Sequence, residues 1–286
     1  MSAGLILGLL CLLWGGDAVS IKFSIQGVPP LMAAALRSLV AGVLVWAYAR
    51  MKGRGVGFPP GQTHHALVIG LLFGLEFLLL YWGLTFTPVS RSLVFISTCP
   101  FWVALGAHFL LKGDRLTPTK IFGLVLAFAG VASVFLARSA ELPPFYWVGD
   151  LMELSAALFW AAITLYVKRI AEKVSLNHYQ TLFAQLIYSF PVLALGSVVF
   201  EMPPELDLTP LVLGSLFYQS VVVAFASFLV WFWLIHRHTV SRLVAFTFLT
   251  PLFGVILGGL ILNEPLTFLI WIGLACVVGG LYTVNR

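Results

Sequence analysis

The chain contains ten long apolar runs, each of which ends at charged residues, proline or glycine. A helix needs about 20 apolar residues to cross a hydrocarbon core of roughly 30 Å, and each run is close to that length. Of the 286 residues, 60% are hydrophobic and only 9% are charged, which is too little charge to coat a soluble globule of this size. The sequence therefore predicts an all-α polytopic membrane protein, embedded in the lipid bilayer, with ten transmembrane helices at about 3–25, 30–51, 65–86, 89–111, 117–137, 146–168, 177–200, 209–235, 240–262 and 266–284.

The basic residues lie mostly on one side of the predicted spans. Twelve of the 16 lysines and arginines fall in linkers or the tail on the side of the N-terminus, whereas Lys22, Arg91 and Arg138 fall on the opposite side. Because positive charge marks cytoplasmic loops, we expect both the N- and C-termini to be cytoplasmic. The apolar N-terminus lacks the basic region of a signal peptide and continues to Phe23, so we interpret it as a retained first span.

One half of the chain is a divergent copy of the other. The tripeptide Val-Ser-Arg occurs at 89–91 and again at 240–242, and each copy is followed nine residues after its arginine by a proline, Pro100 and Pro251. Each repeat contains five predicted spans. Since five is an odd number, the second copy enters the membrane from the opposite side, which is the inverted-repeat plan of many secondary transporters. We therefore predict two inverted five-helix repeats in a single integral membrane unit.

The repeats cover residues 1–140 and 146–286. Their first helices align at an offset of 146, with Trp14 and Lys22 matching Trp160 and Lys168. The offset is 144 at the start of span eight and 151 in the motif downstream, so span eight carries about seven extra residues, or two helical turns. The alignment leaves open whether Ser220 or Ser227 is the equivalent of Glu76.

Several short motifs relate the chain to a known family. They are Leu12 to Gly16 with Lys22, Arg91 to Pro100 with its copy Arg242 to Pro251, and the acidic turns at 113–116 and 263–266. With these motifs the sequence resembles the drug/metabolite transporter superfamily, in its EamA family, and within that family it is most similar to the YddG-type exporters of aromatic amino acids. The resemblance covers essentially the whole chain.

The resemblance implies an arrangement of the helices and a mechanism. Spans one, three, four, six, eight and nine surround a central cavity, spans five and ten lie at the periphery, and spans one, four, six and nine bend during alternating access. Helix-weakening residues occur in three of these spans, and we predict that Gly15, Gly16, Pro100 and Pro251 act as hinges. The alternative is that glycine and proline are simply common in membrane helices.

Two acidic residues in the spans are candidates for substrate binding. Glu76 lies in the middle of span three, where a carboxylate that faced lipid would cost several kcal/mol, so we expect it to face protein or a cavity or to be protonated. It would bind the ammonium group of a substrate or take a coupling proton, and the alternative is a neutral, buried carboxyl that only packs. The same argument applies to Asp17, which follows the glycine pair of span one.

The remaining charged residues within the spans have structural alternatives. Lys22 is a candidate partner for a substrate carboxylate, because related transporters of anionic substrates use lysines, although Lys22 and Lys168 can also extend to the membrane surface. Arg37 is expected to extend to the surface in the same way or to be paired. Asp150 and Glu153 begin span six and are expected to cap its N-terminus.

Aromatic and small polar residues fall in the middle of the helices that the resemblance assigns to the cavity. Such rings suit a flat apolar substrate, and the polar groups offer hydrogen bonds, although serine and threonine often bond their own backbone instead. For each aromatic ring considered singly, the alternative is that it packs against other helices and does not line the cavity. The predicted lining residues, besides Asp17 and Glu76, are Trp14, Tyr81, Phe95, Ser97, Trp160, Thr164, Tyr218, Gln219, Phe225, Phe246 and Thr250.

The sequence motifs do not favour other functional classes. The three cysteines lack metal-ligand spacing and the pair His64-His65 lacks the HExxH glutamate, so we expect no metal and no cofactor. Nucleotide-binding and hydrolase motifs are missing, and nucleic acid is not an expected partner. The pairs Gly70-xxx-Gly74 and Gly254-xxx-Gly258 favour helix packing within a monomer over dimerisation.

These observations together predict a transporter and not an enzyme. We expect a secondary transporter of the bacterial inner membrane that exports aromatic amino acids or similar amphipathic metabolites by alternating access. The alternatives are a broad exporter of drugs and metabolites and, from a different class, an intramembrane enzyme or lipid scramblase. The sequence leaves open the substrate, the choice between proton coupling and uniport, the preferred access state and the oligomeric state.

Overall fold

The computed structural model describes residues 3–87, 89–136, 144–202, 205–262 and 268–285, and every regular element in these ranges is helical. Nine helices there are long and apolar enough to cross a membrane, and a shorter apolar helix occupies Pro118–Ser133. The prediction of an all-α polytopic membrane protein is confirmed. The helices are α1 (Ala3–Ser24), α2 (Pro30–Met51), α3 (Thr63–Gly83), α4 (Val89–Ile96), α5 (Cys99–Leu110), α6 (Pro118–Leu136), α7 (Tyr146–Val174), α8 (His178–Phe200), α9 (Pro210–Phe217), α10 (Phe228–Arg237), α11 (Val240–Ala245), α12 (Leu249–Leu262) and α13 (Phe268–Asn285).

The two prolines of the duplicated motif each follow a break in their helix. Span four is interrupted between α4 and α5, just before Pro100, and span nine contains a 3₁₀ turn, Phe246–Phe248, just before Pro251. Proline has no N–H to donate, and its ring displaces the carbonyl four residues earlier, which belongs to Ile96 in one copy and Thr247 in the other. The prolines therefore weaken both helices at equivalent positions, while bending during transport stays a prediction.

Span eight is longer than its counterpart and is wound differently. It runs from Pro210 to Arg237, 28 residues, against 21 in α3, so the difference is the seven residues that the alignment predicts. Its central ten residues, Tyr218–Ser227, form a π-helix between α9 and α10. A π-helix has wider turns than an α-helix. The seven additional residues of span eight are therefore accommodated partly by these wider turns and partly by the greater length of the span.

The helices group into two compact units that do not follow the halves of the sequence. Unit 1 contains residues 1–19, 83–161 and 238–286, and unit 2 contains residues 20–82 and 162–237. Both units combine helices from each repeat. The chain passes from one unit to the other four times, within α1, at the last residue of α3, within α7 and directly after α10.

Glycines on α6 and α13 allow these two helices to pack closely in unit 1. A β-carbon on Gly123 would lie 2.6 Å from the carbonyl oxygen of Gly280, and one on Gly130 would lie 2.7 Å from that of Gly273. These contacts run in opposite directions along the two helices, which are therefore antiparallel. They are also reciprocal, because Gly123 aligns with Gly273, and Gly130 with Gly280, at an offset of 150.

The apolar core of unit 1 is drawn from equivalent positions of the two repeats. It joins residues of α4, α5 and α6 to residues of α11, the 3₁₀ turn, α12 and α13. Burial of this apolar surface stabilises the unit by roughly 25 cal/mol per Å². The equivalent pairs in this core are Val94 with Ala245, Ala104 with Val255, Ala127 with Val277, and Val131 with Leu281.

In unit 2 the first glycine pair serves packing within the chain. A β-carbon on Gly70 would clash with Tyr188, and one on Gly74 would lie 2.7 Å from Val192 Cβ, so α3 lies directly against α8. The carboxylate that follows α8, Glu201, accepts hydrogen bonds from the backbone N–H groups of Leu31 (2.6 Å) and Met32 (3.0 Å). An acceptor at the N-terminus of α2 is needed there, because these N–H groups have no partner within the helix.

Candidate functional site

A buried polar network in unit 2 is centred on Gln219, in the π-helix. This side chain is 0% exposed. Its Nε2 donates to Ser24 Oγ at 2.8 Å and to Ser20 Oγ at 3.4 Å, and its Oε1 accepts from the Tyr81 hydroxyl at 3.4 Å. The structure therefore brings together two of the predicted lining residues, Tyr81 and Gln219, and joins them to the end of α1.

Arg37 is part of the same network. It is only 2% exposed, and its Nε donates to the backbone carbonyl of Gln219 at 3.3 Å. Its guanidinium carbon lies 4.7 Å from the ring centroid of Phe77 and 5.2 Å from that of Phe228. Arg37 therefore does not extend to the membrane surface and is paired instead, since a delocalised cation is stabilised by aromatic faces and a carbonyl.

Glu76 lies beside this network, inside the protein. It is 5% exposed, and its Oε2 has no hydrogen-bonding partner in the part of the chain that the structure describes. Arg37 is close enough to act on it electrostatically. The expectation that Glu76 faces protein and not lipid is confirmed, while its role stays a prediction.

A second polar cluster lies in unit 1, where α4 meets α7. Arg91 Nη2 lies 2.5 Å from Asp150 Oδ2, and Arg91 Nε donates to both oxygens of Asp150 at 3.2 Å. The Thr87 hydroxyl donates to Asp150 Oδ1 at 2.7 Å. The prediction that Asp150 and Glu153 cap the N-terminus of span six is wrong, because α7 begins at Tyr146, so that both lie inside the helix with Asp150 paired and Glu153 0% exposed.

A third cluster joins the linker after α5 to the start of α11. Asp114 is 2% exposed and accepts from Lys120 Nζ at 2.8 Å, from the backbone N–H of Ser241 at 3.0 Å, and from the Ser241 hydroxyl. Burial alone would raise the pKa of the Asp114 carboxyl, but the hydrogen bonds from Lys120 and Ser241 outweigh it, so that this pKa lies below its ordinary value of 3.8. Asp114 is therefore an ionised cap for α11.

The other predicted lining residues are divided between the units, and the central cavity stays a prediction. In unit 1, Cys11 Sγ donates to the Phe246 carbonyl at 3.2 Å, and Ser97 donates to its own backbone at Leu93, as the alternative for serine predicted. Trp14, Trp160 and Thr250 are half-buried and Asp17 is buried. Phe95 lies 5.8 Å from the guanidinium of Arg91.

In unit 2, Thr164 is buried, Tyr218 is half-buried, and Phe225 packs edge-on against Tyr48 with ring centroids 5.8 Å apart. Lys168 donates to the Ile235 carbonyl at 3.1 Å, in the last turn of α10. The side chain of Lys22 lies outside the described residues.

Three of the predicted hinge residues, Gly15, Pro100 and Pro251, lie where helices cross or break, and Gly16 is half-buried within α1. A β-carbon on Gly15 would lie 2.7 Å from the backbone nitrogen of Gly254, so α1 and α12 cross with their backbones in near contact. Pro100 and Pro251 follow the breaks described above. Any side chain at Gly15 would separate α1 from α12, which is a packing reason for glycine here whatever its role in bending.

The sequence reasoning missed several residues of these clusters, among them Ser20, Ser24 and Thr87. Ser20 and Ser24 are four positions apart near the end of α1, and this spacing places both on one helix face, which is a signal that could have identified them. Ser241 was singled out only as part of the repeat. Among the described residues, no group of three or more His, Cys, Asp or Glu is arranged to hold a metal ion.

The fold and the buried charged groups define a polytopic α-helical membrane protein with polar side chains buried within its two helical units, the class to which membrane transporters belong. The profile of the EamA-like transporter family matches residues 2–136 and 147–286. The chain belongs to this family and is a membrane transporter or exporter.

Individual relatives agree with the family. The chain is 24% identical over 272 residues to the Uncharacterized transporter YoaV of Bacillus subtilis (strain 168), covering 95% of this chain and 92% of the relative. It is 28% identical over 291 residues to the Probable amino-acid metabolite efflux pump of Escherichia coli (strain K12), covering 98% and 93%. A crystal structure at 21% identity superposes with a TM-score of 0.84 over 100% of this chain and 97% of that one, which shows that the fold is shared.

Proposed function

We propose that the protein exports aromatic amino acids or similar amphipathic metabolites by alternating access. The observation that carries this proposal is the arrangement in unit 2, where Glu76 Oε2 has no hydrogen-bonding partner among the described residues and the acid lies next to the Arg37 and Gln219 network. An amino acid needs an acceptor for its ammonium, a donor for its carboxylate and apolar faces for its ring. Phe77 and Phe228 flank Arg37 and offer such faces.

Two further observations support the proposal. The relative from Escherichia coli is named a probable amino-acid metabolite efflux pump. The reciprocal glycine contacts of α6 and α13 join aligned helices in antiparallel orientation, as expected if the repeats are inverted. We assign the protein to the bacterial inner membrane as a monomer with cytoplasmic termini, on the basis of the charge asymmetry of its loops and the use of Gly70, Gly74 and Gly254 within the chain.

The test is flux through the purified protein in liposomes. Vesicles loaded with radiolabelled tryptophan, phenylalanine or tyrosine should show saturable efflux, and Glu76→Gln should lower it at least tenfold. Glu172→Gln is the matched control, because Glu172 is exposed at the polar end of α7 and should leave the flux unchanged. If a folded, monodisperse protein shows no saturable flux of any of the three, the substrate proposal is wrong.

The same vesicles separate the alternative functions. Competition by unrelated amphipathic compounds with equal potency would favour a broad exporter. Movement of a fluorescent lipid between leaflets, with no flux of amino acid, would favour a scramblase.

A further inference from the structure

Glu153 is an acid enclosed in the core of unit 1. It lies on α7, is 0% exposed, and neither carboxyl oxygen has a hydrogen-bonding partner among the described residues. Its Oε1 would lie 3.0 Å from a β-carbon placed on Gly83 at the end of α3, so the carboxyl reaches the backbone there. Ser92 on α4 also faces it. The side chain is therefore buried among described residues of unit 1.

In the part of the chain that the structure describes, the charged groups around Glu153 leave it without a counter-ion. On its own helix it follows Asp150 by three residues, and Tyr146 lies one turn further toward the N-terminus, 5.0 Å from the guanidinium of Arg91. On α4 the charged group is Arg91, whose guanidinium is engaged by Asp150 at 2.5 Å. The end of α3 and the turn after it contribute Gly83 and Thr87, which carry no charge. One cation thus serves two neighbouring carboxyl groups.

An ionised carboxylate in this position would be unstable. Burial removes its hydration, the Ser92 hydroxyl that faces it carries no charge to offset that loss, and the negative charge of Asp150 opposes a second one. The carboxyl of Glu153 is therefore neutral and carries a proton in this conformation. Loss of that proton needs water or a cation beside the carboxylate, and separation of α4 from α7 would admit water and free Arg91 from Asp150.

We propose that Glu153 binds and releases the proton that couples this transporter to a pH gradient. In the closed arrangement the acid holds its proton and Arg91 pairs with Asp150. When the two helices separate, the proton passes from the Glu153 carboxyl to water, leaving a carboxylate that competes with Asp150 for Arg91 and keeps the helices apart until it is protonated again. This proposal rests on the proposed transport function and assigns its coupling ion.

The alignment of the two repeats shows that the acids Asp150 and Glu153 occur in only one of them. At the offset of 146 that aligns α1 with α7, Asp150 corresponds to Gly4 and Glu153 to Leu7. A proton site on a single repeat would bind one proton in each transport cycle.

The test compares transport driven by a pH gradient with exchange at equilibrium. Glu153→Gln keeps the shape of the protonated acid, so exchange of labelled for unlabelled tryptophan should persist while the stimulation of net flux by an imposed pH gradient disappears. Glu172→Gln should retain both activities. Wild-type flux that is saturable but independent of the pH gradient, or a Glu153→Gln variant stimulated like the wild type, would overturn this proposal, whereas absence of any flux would instead reject the proposed substrate.

A second measurement does not depend on transport. Infrared difference spectra between H₂O and D₂O report the C=O stretch of protonated carboxyl groups in the purified protein. At neutral pH this band should be weaker in Glu153→Gln than in the wild type or in Glu172→Gln. An unchanged band would show that Glu153 is ionised and would contradict the proposal even if the variant were inactive.

Discussion

The two copies of the Val-Ser-Arg tripeptide make different contacts, although both begin a helix that is broken before a proline. In the first copy the arginine forms an ion pair, since Arg91 contacts Asp150 on α7. In the second copy Arg242 is exposed, and Ser241 is the residue that is held, by Asp114 and Lys120. Among the described residues, the contact of the motif is thus formed by Arg91 in one copy and by Ser241 in the other.

The difference originates in the helices opposite each copy. At the alignment offset of 146 the counterpart of Asp150 is Gly4, so the second arginine has no acid on α1 at that position. At the offset of 150 the counterpart of Lys120 is Ile270, so the first copy lacks the lysine that completes the Asp114 cluster. In these two clusters the counterparts of Asp150 and Lys120 in the other repeat are therefore Gly4 and Ile270, neither of which can form an ion pair.

The largest effect in this comparison is expected at the second copy. Asp114→Ala removes the acceptor for Lys120 and for two groups of Ser241, and leaves the ammonium of Lys120, whose side chain is 12% exposed, without its acid. We expect a loss of about 3 kcal/mol in the free energy of unfolding. Denaturant unfolding in detergent measures it, with Asp207→Ala, an exposed carboxylate, as control. A loss below about 1 kcal/mol would show that the cluster is not a structural contact.

A smaller effect is expected at the first copy. Asp150→Asn leaves Arg91 without its acid, but the arginine side chain is 28% exposed, so water replaces part of the lost interaction. We expect a loss of about 2 kcal/mol in the free energy of unfolding. A double-mutant cycle with Arg91→Met isolates the pair, and additive effects of the two substitutions would contradict the ion pair.

The pH dependence of stability should differ between the wild type and Asp114→Asn. The pKa of Asp114 is lowered in the folded protein, so its contribution is fully present above the ordinary value of 3.8 and is lost as the pH falls through the folded value. The difference in thermal midpoint between the two proteins should therefore stay constant from pH 7 to pH 5 and shrink below pH 4. A difference that grew on acidification would contradict the assigned contacts.

The smallest effect is expected for the exposed arginine. Arg242→Gln should change the free energy of unfolding by less than about 0.5 kcal/mol, because surface substitutions away from packed features have effects of that size. Arg91→Gln is the matched variant and should be clearly more destabilising. Equal effects of the two substitutions would show that the two arginines contribute equally to stability, which would contradict the difference between the copies.

The elements of the fold were predictable where the signal is local. Runs of apolar residues gave the spans, and the change of alignment offset gave the additional length of span eight. The π-helix was not predictable, since hydropathy reports how long an apolar run is and not how it is wound. The predicted end of span six, residue 168, lies six residues before the end of α7, because the prediction ends the span at charged residues. Lys168 and Glu172 instead form an ion pair between adjacent turns, and the helix continues through both.

The polar contacts were predictable only in part. Burial of Glu76 follows from its position in the middle of a span, because lipid is no solvent for a carboxylate. The partners of Asp150 and Arg37 lie 59 and 182 residues away in the chain, and no local pattern specifies such pairs. Position near a helix start suggested capping for Asp150, but a bidentate arginine on a neighbouring helix is the stronger partner.

The reciprocal glycine contacts of α6 and α13 have a consequence for how such a chain could arise. A five-helix ancestor with one copy of this helix would meet a second molecule of itself through the same surface, so that one change at either glycine would alter two contacts at once. Joining the copies in one gene frees each position to vary alone. Gly123, Gly130, Gly273 and Gly280 are nevertheless all still glycine, and this surface therefore preserves the symmetry of a homodimer inside a single polypeptide.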